Sequence, residues 1–437
     1  MKTQSLLKKF NAALLWNGIF YTLYKVASIF FTFSLFQYAS QETFSVWAST
    51  NSLIFIIILL LDCGFRKSIP RYSATFMNNR SSYKKFIQTI IIFECLLLVV
   101  CGFPLLLFVT SFFMNQTTFT LLKPYIITVF FVEGFIALLR LLFHAHFWQK
   151  EFNMLHTFTF LIETFYNLYI LFMIPQTTSF VATFLANKIV SCCVVITGSF
   201  IMLPYLYKSI PLNISKKVEA QKEPFNYIKT FNAFIKHSFF MWASTLIKSV
   251  TERNFLFPYI TFTIGLPIAN HFKVIHDAGL FFQRMALKTI GVSDTALLAH
   301  AQESSQLQIM FYDLIKKIFY ICVPLLVVGI ITAHQSTLIY QNYTTYSLFL
   351  IVIIGYLIEI ILSPFERFLE TKKEYKKLWT SYLPYLIGIS FLFLYNWLYS
   401  PLSLIGFILF IHLFRLIGSF LMALQVKVII INLLHKD

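Results

Sequence analysis

Apolar stretches of about twenty residues or more recur along the whole chain, and that is the length an α-helix needs to cross the hydrocarbon core of a bilayer. In the first half they run approximately over 12–37, 44–65, 86–111, 125–147, 153–174 and 179–206. In the second half they run over about 231–257, 266–290, 311–334, 344–365, 378–398 and 402–430. The pattern predicts an all-α polytopic membrane protein of about twelve transmembrane helices in two six-helix lobes. Composition agrees: of 437 residues, 58% are hydrophobic and 12% charged, with 52 phenylalanines. A soluble domain carries roughly 25% charged residues, because its surface has to be wetted.

The six cysteines fall almost wholly inside these runs, without the paired spacing of zinc sites or disulfide frameworks, and read as small buried hydrophobes. Lys2, Lys8 and Lys9 precede an apolar stretch too long for the core of a cleaved signal peptide, so the N-terminus reads as a first spanning helix.

The connections set the orientation, because cytoplasmic loops retain Lys and Arg. Alternate connections contain Arg66, Lys67, Arg71, Arg80, Lys84 and Lys85, then Lys150, then Lys208, Lys216, Lys217, Lys222 and Lys229, then Lys316 and Lys317, then Arg367, Lys372, Lys373, Lys376 and Lys377. The opposite side holds Lys123. Both termini are therefore expected in the cytoplasm, with the chain in the inner (cytoplasmic) membrane. The net charge of +17 is a topology signal and not the footprint of a nucleic-acid partner, since it is divided among short loops.

The longest polar connection, 207–230, contains Pro211, Pro224 and five lysines. It divides the chain into an N-terminal lobe, 1–206, a cytoplasmic linker, and a C-terminal lobe, 231–437. Phe10-Asn11-Ala12 opens the first lobe and Phe231-Asn232-Ala233 the second, a short echo of the kind internal repeats leave.

Residues 10–85 carry a further pattern. A first helix leads to the external turn Ser40-Gln41-Glu42-Thr43-Phe44-Ser45-Val46-Trp47-Ala48, then to a serine-bearing second helix, Leu61-Asp62-Cys63-Gly64-Phe65, and Ser68-Ile69-Pro70-Arg71. In these residues and in the six-plus-six layout the chain resembles the polysaccharide and lipid-linked oligosaccharide flippases of the multidrug/oligosaccharidyl-lipid/polysaccharide (MOP) exporter superfamily. The resemblance implies a MATE-like fold without enzymatic activity. It further implies that a polyprenyl-pyrophosphate-linked glycan, such as an O-antigen or other polysaccharide precursor, crosses the membrane by alternating access. No cofactor is implied beyond coupling to a proton or sodium gradient. The implied partners are the bilayer, the lipid-linked glycan, and the polymerase or glycosyltransferases of its pathway.

The ionisable residues can be read without that resemblance. A charge inside the hydrocarbon costs about 2.5–3.5 kcal/mol on insertion scales, so each must face a wet cavity or a partner. In the first span Asn17, Tyr21, Lys25, Ser28 and Thr32 form one polar stripe at helical spacing. In the seventh, Lys248 and Glu252 lie one turn apart beside Arg253; in the eighth, Lys273, Asp277 and Arg284 share a face.

Lys25, Lys248, Arg253, Lys273 and Arg284 are thus candidates to line a central cationic cavity for an anionic headgroup. The competing reading makes Lys248–Glu252 and Lys273–Asp277 structural ion pairs. Among the acids, Glu94, Glu133 and Glu359 included, Glu163, Glu252 and Asp277 are candidates for a coupling ion, Glu163 sharing its face with Thr159 and Asn167; Glu133 and Arg140 are expected to pair. Two other functions compete: a multidrug or cation antiporter of the same superfamily, and a membrane-embedded glycan polymerase. The antiporter would favour an acidic cavity. The polymerase needs an extramembrane loop to hold sugar, and no external connection exceeds about a dozen residues.

Overall fold

A computed structural model of the chain describes residues 2–65, 80–114, 116–145, 149–173, 180–209, 226–290, 343–371, 374–399 and 403–434, with shorter stretches between 68 and 76 and between 315 and 334. These residues form helices. They are α1 (Lys2–Tyr38), α2 (Gln41–Leu61), α3 (Arg80–Leu97), α4 (Phe103–Phe113), α5 (Gln116–Ala145), α6 (Gln149–Met173), α7 (Phe180–Ser209), α8 (Tyr227–Val250), α9 (Arg253–Thr263), α10 (Leu266–Ile290), α11 (Tyr343–Thr371), α12 (Tyr375–Leu398) and α13 (Leu404–Leu434). Among the described residues, eight helices are long and apolar enough to cross a membrane. Large side chains such as Ile162, Phe165 and Tyr169 on α6 stand exposed, as apolar groups do where lipid replaces water.

Two expected spans take a different form. The third, 86–111, is interrupted by a π-helical turn, Leu98–Gly102, between α3 and α4. Pro104, in the first turn of α4, has no N–H to continue the helical ladder, and a single wide turn absorbs the mismatch. The seventh, 231–257, is two helices. The Thr251 hydroxyl bonds back to the carbonyl of Lys248, and Glu252 is extended (φ −86°, ψ 155°), so α8 stops and α9 restarts. Of the ninth, 311–334, residues 311–314, 317, 321 and 332–333 lie outside the described residues, and the rest include a short apolar helix within Ile318–Ile331. Of the 207–230 connection, residues 210–225 also lie outside them.

The chain divides into two compact units, Met1–Leu246 and Ile247–Asp437. In the first, α1 packs on α6, and α7 on α5 and α6. Ser40 caps α2 by accepting a hydrogen bond from the Thr43 amide at 3.1 Å, which allows the tight turn out of α1. A core of Ile54, Ile57, Leu98, Val129, Phe130 and Leu185 joins α2, the π turn, α5 and α7.

An aromatic cluster of Phe65, Phe76, Phe86 and Phe234 fastens the segment after α2 to α3 and α8. Three further contacts fix that segment. The Trp242 indole donates to the Leu60 carbonyl at 2.8 Å, the Tyr72 hydroxyl to the Ala233 carbonyl at 3.2 Å, and Gly64 lies directly on the α8 backbone. In the second unit α13 packs on α11 and α12, α10 packs on α9 and α11, and Tyr356 and Tyr382 are fully buried.

Candidate functional site

Each unit encloses a polar network built from side chains on separate helices. In the first, Lys188 on α7 places its Nζ 3.0 Å from Glu133 Oε1 on α5 and donates to Asn51 Oδ1 on α2 at 3.1 Å. Asn51 is oriented by its own bond from Nδ2 to the Trp47 carbonyl. One residue away on α7, the Asn187 amide donates to Asn167 Oδ1 on α6 at 2.7 Å. Arg140, two turns after Glu133, reaches His156 Nε2 on α6 at 3.2 Å. Glu133 and Arg140, expected to pair with each other, each also take a partner on a different helix.

Lys188 and Glu133 remain about a quarter exposed, so their pair is only partly desolvated. We expect a double-mutant cycle of Lys188→Met and Glu133→Gln to give a coupling energy of about 1–3 kcal/mol in thermal unfolding of the purified protein. Additive single-variant losses would show that the pair contributes nothing.

Lys25 is half-buried on α1, its Nζ 5.4 Å from the Tyr24 ring centre and 5.8 Å from that of Tyr21, both within cation–π range. Tyr24 packs at a tilt against Phe160, ring centres 4.1 Å apart, and its ring lies 5.3 Å from that of His156, which ties α1 beside Lys25 to the Arg140 network. Farther down that stripe Thr32 turns its hydroxyl back to the Ser28 carbonyl. The Asn17 side chain lies outside the described residues. Glu163, half-buried on α6, is within hydrogen-bonding reach of Ser191 on α7.

In the second unit the geometry again differs from helical spacing alone. Lys248 Nζ donates to Glu366 Oε2 on α11 at 2.7 Å, and the Tyr382 hydroxyl on α12 donates to Glu366 Oε1 at 2.6 Å. The break at Thr251–Glu252 removes Glu252 from the helical register that would have set it beside Lys248. Lys273 does meet Asp277 one turn on, at 3.7 Å, and is itself buried against the Phe257 ring. The side chains of Arg253 and Arg284 lie outside the described residues.

The most enclosed group lies between α10, α11 and α13. Arg415 donates to Glu359 Oε2 at 2.7 Å and to the Thr251 carbonyl at 3.3 Å, while Gln283 donates to the same carboxylate oxygen at 3.1 Å. His412 Nδ1 lies 3.6 Å from Glu359 Oε1, and His276 Nδ1 is 3.0 Å from the Tyr356 hydroxyl. Arg415, His412 and Glu359 are nine-tenths or more buried. Lys188, Glu366, Arg415, His412 and Gln283 were not singled out from sequence. The signal was there for four of them: Lys188, Gln283, His412 and Arg415 are polar or charged residues inside long apolar runs, Arg415 within Ile411-His412-Leu413-Phe414-Arg415-Leu416-Ile417, whereas Glu366 falls just past the end of the tenth run.

No family model and no curated protein sequence matches the chain. Solved structures do. An inward-facing structure of a multidrug resistance MATE family transporter of the MOP superfamily superposes with a TM-score of 0.64 at 14% identity, over 95% of this chain and 96% of that one. An outward-facing structure of such a transporter gives 0.62 at 13% identity over 97% of each. A mutant form of the Vibrio cholerae MATE transporter VcmN gives 0.62 at 12% identity over 100% and 98%. The chain therefore has the polytopic all-α fold of MATE transporters along its whole length.

Proposed function

We propose that this chain is an alternating-access transporter of the MOP superfamily that flips a polyprenyl-pyrophosphate-linked glycan precursor across the cytoplasmic membrane. Transport, and not an enzymatic reaction, is supported by the fold, whose solved examples include inward-facing and outward-facing forms. The observation that carries the substrate class is how the acids inside the helices are used. Glu133, Asp277, Glu359 and Glu366 are each held by a base within their own unit, so this acidic charge belongs to the scaffold. Lys25 stands half-buried over tyrosine faces on the polar stripe of α1. An ammonium on an aromatic platform suits a pyrophosphate headgroup, with the tyrosines left to meet sugar rings.

The one-sided distribution of Lys and Arg supports an orientation with both termini in the cytoplasm. The acids do favour a second reading at one point. Glu163 contacts a serine hydroxyl, which is how a carboxylate serving a multidrug or cation antiporter would be kept.

Depletion of the protein should cause lipid-linked glycan to accumulate on the cytoplasmic leaflet, measured by leaflet-resolved labelling. In vesicles containing the purified protein, Lys25→Ala should weaken binding of the lipid-linked glycan about 30-fold or more, equivalent to about 2 kcal/mol or more, with unchanged protein abundance. Normal flipping by the variant would remove Lys25 from the site. Normal flipping in depleted cells, together with lost efflux of a cationic dye, would favour the antiporter.

A further inference from the structure

Building on the flippase reading, we propose that the polar network inside the first unit is a carbohydrate subsite, which takes the sugar joined directly to the pyrophosphate. The network is neutral and only partly used. Lys188 and Glu133 cancel each other's charge across 3.0 Å, yet each side chain is still about a quarter exposed. The Lys188 ammonium directs protons to Glu133 Oε1 and Asn51 Oδ1 and keeps one more. Glu133 Oε2 has no hydrogen bond among the described residues, and Asn51 keeps an amide proton beyond the bond to the Trp47 carbonyl. One residue along α7 the pattern repeats. Asn187 donates to Asn167 Oδ1 at 2.7 Å, while the complementary atoms, Asn187 Oδ1 and Asn167 Nδ2, have no hydrogen bond among the described residues. Asn167 is almost wholly buried, where an unmade amide bond is costly.

These groups face away from lipid. Val190, Val194 and Ile201 mark the exposed side of α7, and Lys188 lies about half a turn from them. Charges inside the hydrocarbon have to meet water or a partner. The exposed quarter of the Lys188–Glu133 pair is therefore open to water on the inner side of the unit. Tyr24 brings its hydroxyl from α1 to the same place, within electrostatic reach of Glu133, Lys188 and Glu163.

Chemistry selects the ligand. Unused donors on Lys188, Asn51 and Asn167 stand beside unused acceptors on Glu133 and Asn187, and the Tyr24 hydroxyl can serve as either. An ion would be held by net charge, which the Lys188–Glu133 pair lacks. A sugar presents hydroxyls that both donate and accept, at fixed positions around a ring, and a few placed polar groups of both kinds recognise it without any charge. The aromatic face it also needs is that of Tyr24, packed on Phe160. The site adjoins the headgroup, since Lys25 Nζ is 5.4 Å from the Tyr24 ring centre. A sugar bonded to a pyrophosphate at Lys25 therefore reaches Tyr24 and the groups around it.

The test is a calorimetric titration of the full-length protein in detergent with a short-chain polyprenyl pyrophosphate, either bare or joined to one hexose or one N-acetylhexosamine. A sugar-bearing lipid should bind about 10-fold or more tighter than the bare one, as one or two added hydrogen bonds would give. Asn187→Ala should remove most of that advantage and leave binding of the bare lipid unchanged. Tyr24→Phe loses only the hydroxyl, keeps the packing on Phe160 and should do the same, so it decides the matter should Asn187→Ala fail to accumulate. A parent protein that binds all three lipids alike, or variants that keep the preference for sugar or weaken every lipid equally, overturn the subsite. The network then holds water only, and the flippase reading stands. A parent protein that binds none of the three removes the flippase reading and the subsite with it.

Discussion

Arg415→Ala should be among the most damaging single substitutions in the chain, lowering stability by about 3–5 kcal/mol and removing most of the folded protein from membranes. The cost does not come from losing a favourable pair so much as from what stays behind. Glu359 would keep its charge in a buried site with only Gln283 on that oxygen, and the Thr251 carbonyl would lose its donor. The diagnostic comparison is Arg415→Leu with Glu359→Leu, in which both charges leave together. That double variant should recover much of the loss, because replacing a buried ion pair by apolar groups of similar volume is often close to neutral. Thermal unfolding in detergent would read both. A double variant as unstable as Arg415→Ala would show that packing, not the uncompensated carboxylate, governs the site.

Gly64→Ala should have an effect of comparable size for an unrelated reason. Gly64 has φ +76°, a left-handed conformation that costs an L-residue roughly 1–2 kcal/mol. More severely, a β-carbon there would overlap the Ser238 carbonyl oxygen and the Trp242 amide nitrogen, which are α8 backbone and cannot swing aside. The segment would have to lift from α8, and the Trp242–Leu60 bond and the Phe65–Phe234 stack would go with it. A total loss of about 2–5 kcal/mol is expected. The measurement is the melting temperature, with Gly18→Ala as a control, since a β-carbon at Gly18 meets nothing. Equal melting temperatures for the two variants would contradict the close approach.

The fold was legible where physics is local. Length and hydropathy locate the helices because a bilayer demands about twenty apolar residues from any segment that crosses it, whatever its neighbours. The same reasoning missed the break at Thr251–Glu252 and the π turn at Leu98–Gly102, since both are short departures inside runs whose mean hydropathy stays high. Pro104 was a visible warning of the second.

The networks were less legible, and the reason is geometric. Spacing along one helix identified Lys273–Asp277, where both partners share a face, and it suggested Lys248–Glu252 and Glu133–Arg140. Helix-to-helix packing supplies partners for those last two, bringing Glu366 to Lys248 and Lys188 to Glu133. Nothing in the local sequence of one helix states which side of a distant helix will lie against it. The cost of a buried charge, however, was as readable at Lys188 and Arg415 as at Lys25.

The ion pairs of the second unit also constrain how the chain can be made. Lys248 and Glu366 are 118 residues apart, and Arg415 reaches back 164 residues to Thr251. During synthesis from the N-terminus, α8 therefore enters the bilayer with its lysine unanswered until α11 has followed. Glu359 likewise waits for α13, which follows it in the chain. Until then these groups must be held near the lipid headgroups or beside the insertion machinery, where water still reaches them. Chains cut short before α13 would carry a carboxylate in the membrane without its arginine, a ready mark by which a cell can recognise a truncated molecule.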